Sequence, residues 1–184
     1  MKRIFHTFLV AFATAILLAC NPASDLEPYV PARILSVPLQ QLISGKAAAK
    51  IVSRMHGKDV APKETVIGIY GKDREVAIIY ISQFPTDGKA RRYLRKMCRR
   101  MGKGSSGFGH HVDFKVDTMD IHFAVGMGQI HYFYAIEDRL YWLAVDPHIA
   151  RSALAEVLNV PEDQVPTLQD IMKQALRSQM TPEL

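Results

Sequence analysis

The chain has 184 residues, 48% of them hydrophobic and 22% charged, with a formal net charge of +5. That length and balance fit one globular domain with a sizeable core, and they exclude a disordered chain, a collagen-like chain and a disulfide scaffold. Two cysteines are too few to staple a fold of this size. A basic balance ordinarily raises nucleic acid as a partner. The first twenty residues, and the way the charge is distributed, argue against it.

Met1-Lys2-Arg3 is a short positive segment, and Ile4 to Ala19 is mostly apolar and carries no charge. A spanning helix needs about 20 apolar residues, so this stretch suits the core of a signal peptide better. It ends in Leu17-Leu18-Ala19-Cys20. This ending resembles the lipobox of bacterial lipoproteins. The resemblance implies a signal peptide over 1–19 and a diacylated, N-terminal Cys20. An uncleaved anchor, or a signal cleaved elsewhere with Cys20 incidental, is the alternative. Two acyl chains hold a protein at a membrane where one binds only marginally. Asn21 stands where an aspartate would signal retention at the inner membrane, so the resemblance implies the outer membrane, facing the periplasm.

On that expectation Lys2 and Arg3 leave with the signal peptide. The remainder carries 21 basic and 18 acidic residues, a net +3, and its remaining thiol is Cys98. Residues 20–38 contain Pro22, Pro28, Pro31 and Pro38 and read as a lipidated N-terminus and a tether. The folded domain is expected over 39–184.

Ser44 is placed to cap a helix over about 45–56, with Ala48, Val52 and Met55 on one face. Thr65–Tyr70 and Glu75–Phe84 read as two strands around a polar turn, the second apolar on both faces and therefore central. Asp87–Met101 has the rhythm of an amphipathic helix with Ala90, Tyr93, Leu94, Met97, Cys98 and Met101 inward. That stripe makes Cys98 a buried, inert thiol.

Four strand-like runs follow, at about 111–117, 119–125, 129–136 and 139–145, arranged as hairpins. Asp146-Pro147 reads as a helix cap followed by proline at the first position. Thr167 and Asp170 read as the capping-box start of a last helix. This order predicts an α+β fold with a mostly antiparallel sheet of about six strands and helices packed on it.

Gly102 to Gly107 spell G-x-G-x-x-G, but between a helix and a strand, the reverse of the dinucleotide-binding context. A connector is the plainer reading. Lys89, Arg91, Arg92, Arg95, Lys96, Arg99, Arg100 and Lys103 put eight cations on one helix and its exit, leaving 13 basic and 18 acidic residues elsewhere after the signal peptide. Interleaved glutamates that would pair with them are missing. The face suits anionic headgroups, an acidic protein partner or an anionic ligand, with a merely solvated face as the alternative.

Centring a hairpin turn on Met127-Gly128 sets His122 opposite Phe133 and Ala124 opposite His131. His122 and His131 then share a face as diagonal neighbours, about 7–8 Å apart at Cα. With His110 and His111 from the adjacent strand, they form a candidate metal or haem site, with Asp113 or Asp120 as oxygen donors. Satisfied surface or cleft histidines are the competing reading. A hydrolytic triad from Ser105 or Ser106, His110 and Asp113 lacks any supporting motif. The leading expectation is a lipid-anchored, non-catalytic binding module of the outer membrane, with the metal or haem protein second and the hydrolase third.

Overall fold

The structure, a computed structural model, describes residues 24–56, 62, 64–101 and 107–180. It is α+β. The sheet is entirely antiparallel but has eight strands rather than about six, in the order β1-β2-β3-β4-β8-β7-β6-β5. The strands are β1 (Arg33–Ile34), β2 (Val37–Ser44), β3 (Glu64–Lys72), β4 (Glu75–Gln83), β5 (Phe108–Val116), β6 (Met119–Gly126), β7 (Gln129–Ile136) and β8 (Arg139–Val145). The helices are α1 (Gly45–His56), α2 (Asp87–Met101), α3 (Ala150–Leu158) and α4 (Leu168–Met180).

Of the two extra strands, β1 lies within the proline-rich stretch that reads as a tether, and β2 starts at the end of that stretch and runs on into the expected domain. The described part of the stretch is folded onto the domain. Leu26, Ile34 and Val37 lie in the main core, and the Tyr70 hydroxyl donates to the Pro31 carbonyl at 2.8 Å. The Leu35 N–H donates to the Glu156 carboxylate at 2.8 Å. Pro38 sits near the start of β2, opposite Arg33 of the two-residue strand β1. Edge positions tolerate a residue without an N–H, so the prolines do not prevent pairing there.

Five two-residue connections join neighbouring strands, each opening with a residue of positive φ: Leu35, Asp73, Asp117, Met127 and Glu137. The two halves of the sheet are sewn together by β4 and β8, from Ala77↔Val145 to Gln83↔Arg139. The central position expected for β4 is therefore observed.

The sheet's two faces carry different cores. One face presents Ile79, Ile81, Phe123, Tyr132, Tyr134 and Leu143 to a core completed by α3 and α4. Tyr134 and Tyr141 stack there with centroids 5.0 Å apart. The opposite face meets α1 through Ala48, Val52 and Ile67, and α2 through Leu94, Cys98 and Met101. The apolar rhythm of α2 accounts for this docking.

Asp146 and Pro147 do not open α3. The helix begins at Ala150, and the Asp146 carboxylate instead accepts the Val76 N–H at 2.8 Å, holding the start of β4. Thr167 does start α4, accepting the Asp170 N–H at 3.2 Å.

Candidate functional site

The helices α1 and α2 leave a groove between them, floored by the sheet. Its volume is about 700 Å³. Tyr80 of β4 and Trp142 of β8 form the floor, stacked with centroids 4.7 Å apart. Val52 and Met55 of α1 stand on one side, Tyr93 and Met97 of α2 on the other. The last strand is apolar on both faces, and this placement explains it: Tyr141 and Leu143 enter the main core, while Leu140 and Trp142 face the groove. Lys96 and Arg100 line the same groove and are exposed, so a mostly apolar space has two cations at its mouth. Pockets for small organic ligands have this make-up, with a few placed polar groups on an apolar wall.

The helix phase divides the basic face of α2. Lys96 and Arg100 turn toward the groove, and Arg92, Arg95 and Arg99 stay exposed without lining it. Arg91 pairs with Asp87 one turn earlier at 2.7 Å. Lys103 and Cys20 lie outside the described residues.

The expected hairpin register is observed, with His122↔Phe133 and Ala124↔His131. The two histidines nevertheless do different things. His131 is 1% exposed. Its Nδ1 accepts the indole N–H of Trp142 at 3.0 Å, and its Nε2 lies 2.9 Å from the Gly126 carbonyl. An indole nitrogen can only donate, so Nδ1 is unprotonated and Nε2–H donates to Gly126. Both ring nitrogens are committed, which removes His131 from any ligand set. Burial holds its pKa below the ordinary value, outweighing the opposing pull of the Gly126 carbonyl. The ring also meets Phe108 edge-on at 4.9 Å.

His122 instead joins His111, Asp113 and Cys98. The imidazoles of His111 and His122 lie parallel, with centroids 5.8 Å apart. His122 Nδ1 is 2.5 Å from Asp113 Oδ1. One donor atom each from Cys98, His111 and His122 lie within 4.8 Å of one another. Burial lowers the pKa of His111, and the neighbouring His122 adds to this while Asp113 opposes it. Burial pushes the Asp113 carboxyl up, but the bond to His122 and the charges of both histidines carry it below its ordinary value. Burial, reinforced by Asp113, pushes the Cys98 thiol up to about 12.

A β-bulge creates this grouping. Gly109 pairs with Val125 and Val112 with Phe123, so His110 and His111 together face the single residue Ala124. His110 takes φ +52° at the bulge. In unbroken register His111 would oppose Phe123 and point into the main core. The extra residue switches the later part of β5 by one position and turns His111 and Asp113 toward α2. His110 is exposed and does not join the group. The expected set His110, His111, His122 and His131 is thus corrected: His111 and His122 meet, and the third member is Cys98. The helical stripe of α2 reports only that this thiol is buried, and so suggests an inert group.

The hydrolytic triad is not supported by the described part. Asp113 is taken by His122, and Ser105 and Ser106 lie outside the described residues. No family model, curated protein or solved structure matches this chain.

Proposed function

We propose that this chain is a lipid-anchored, non-catalytic binding module of the bacterial outer membrane whose ligand is an anionic amphiphile. The apolar part of the ligand lies on Tyr80 and Trp142 between α1 and α2. Its carboxylate or phosphate meets Lys96 and Arg100. The single observation carrying this reading is the groove of about 700 Å³, aromatic on its floor and cationic at its mouth. Charge-assisted contacts to two flexible cations fix the ligand's direction, and burial of its chain supplies the affinity. The anchor at Cys20 and the periplasmic address rest on the pattern Leu17-Leu18-Ala19-Cys20. The outer row Arg92, Arg95 and Arg99 then faces anionic headgroups or an acidic partner at the membrane surface.

Trp142 is the one tryptophan of the chain, so its emission reports the groove floor directly. Titration with hexadecanoate is expected to shift and saturate that emission at one ligand per chain. Emission that stays constant across the titration, with no binding by calorimetry, refutes the reading.

A further inference from the structure

We infer that Cys98, His111 and His122 form a metal-ion centre for a borderline-soft ion of the Zn(II) type, with Asp113 as the residue that orients His122. This centre is independent of the groove ligand.

Three observations support it. The first is the donor set. Two imidazoles and one thiolate are the ligands such ions prefer, and three protein ligands leave one of the usual four positions for water or a small molecule. Their donor atoms already lie within 4.8 Å of one another, though they come from three separate elements, α2, β5 and β6.

The second is orientation. Asp113 Oδ1 holds His122 Nδ1 at 2.5 Å, which leaves Nε2 as the atom free to ligate. A carboxylate behind a ligating histidine is a recurrent feature of zinc sites, where it fixes the tautomer and raises ligand basicity. Asp113 is itself held from behind, since its backbone carbonyl accepts the Gln174 side-chain amide of α4 at 2.9 Å.

The third is an unsatisfied group. His111 Nε2 is buried and lacks a hydrogen-bond partner among the described residues, with Asp113 Oδ1 at 3.5 Å and outside bonding geometry. A buried ring nitrogen left without a partner is destabilising. Coordination of an ion satisfies it. The bulge at His110 that brings His111 to this face is the kind of feature found beside functional sites. His122 and His111 remain partly accessible, so an ion can enter from solvent. Binding converts the Cys98 thiol to a thiolate–metal bond and releases its proton to solvent, with no change of oxidation state.

The test is a titration of the metal-free full chain in detergent with Co(II), a spectroscopic stand-in for Zn(II), followed by displacement with Zn(II). We expect one Co(II) per chain, a thiolate-to-cobalt charge-transfer band and full displacement by Zn(II). Cys98→Ser and His122→Ala should abolish the band, whereas His110→Ala should leave it unchanged. Asp113→Asn, at an exposed position, should weaken binding about 10–100-fold while keeping the band. Cys98→Ala provides a second thiol deletion if Cys98→Ser does not fold, with circular dichroism reporting the fold of each variant. A folded wild-type chain without the band overturns the proposal. So does a band that survives removal of the Cys98 thiol, as it would if Cys20 were the ligand, or one lost equally with His110→Ala.

Discussion

The indole N–H of Trp142 donates to Nδ1 of His131 at 3.0 Å, inside the layer between the sheet and α2. This bond sets the tautomer of His131 and pins the ring that floors the groove. His131→Phe keeps the apolar volume but strands the indole N–H, and it removes one donor from the Gly126 carbonyl, which also closes the β6–β7 ladder opposite Gln129. We expect a loss of about 1–3 kcal/mol for the indole N–H left unpaired, measured by urea unfolding followed through Trp142.

The same bond makes folding sensitive to acid. The folded state needs His131 neutral, and burial holds its pKa below the ordinary 6.5. The unfolded chain therefore takes up this proton first as pH falls. The stability due to His131 is full above about pH 6.5 and declines as pH descends toward the folded-state pKa. The ring touches Phe108, Phe133 and Trp142, none of which titrates in that range. His111, also lowered, adds a slope of the same sign. Melting temperatures between pH 8 and pH 4.5 should fall in the wild type and fall less steeply in His131→Phe.

Gly126 allows Phe108 to lie over His131. A Cβ at this position would stand 2.6 Å from Phe108 Cδ1 and 3.0 Å from the Gly107 carbonyl oxygen. Gly126→Ala should cost about 1–3 kcal/mol by overpacking. It should also displace Phe108 from the groove lining and weaken hexadecanoate binding, read by calorimetry. Unchanged affinity would mean that Phe108 does not shape the site.

Ile34 tests whether the proline-rich stretch belongs to the domain. Its side chain is fully buried in the main core. Ile34→Ala should destabilise the fold by about 2–5 kcal/mol. A change below about 0.5 kcal/mol, the range of ordinary surface substitutions, would restore the view of this segment as a tether.

Arg92, Arg95 and Arg99 form the outer row of α2. Each cation near an anionic membrane surface contributes about 1 kcal/mol. Changing all three to Gln should weaken binding to vesicles containing anionic lipid by about a hundredfold at low salt. The effect should shrink as ionic strength rises. Equal binding to neutral vesicles would assign the row to solvation.

Much of the frame was legible in the chain. Alternation and two-residue turns placed the four later strands, and the Met127-Gly128 turn fixed the His122↔Phe133 register. The apolar rhythm of Asp87–Met101 gave α2 its limits and its buried face. What escaped depends on tertiary context. The prolines of 20–38 suggest a tether, yet Pro38 at a sheet edge does not stop pairing. Asp146 looked like a helix cap but bonds across to Val76. Shared parity brought His122 and His131 together on paper, whereas Trp142 claims one of them. The joining of Cys98 to His111 depends on a bulge that no spacing rule announces. The adjacent Gly109-His110 and the doubled histidine were the only local hints.

In the proposed function the groove selects an amphiphile by its anionic head. The most direct measurement compares the affinities for hexadecanoate and hexadecanol, a neutral ligand of the same chain length, in the wild type and in Lys96→Gln/Arg100→Gln. Two partly exposed charge contacts should favour the carboxylate about 5–30-fold in the wild type, at about 0.5–1 kcal/mol each. The double variant should bring the two affinities together while leaving that for the alcohol unchanged. A wild type that binds both equally, or a preference that survives the double variant, rules out selection by the anionic head.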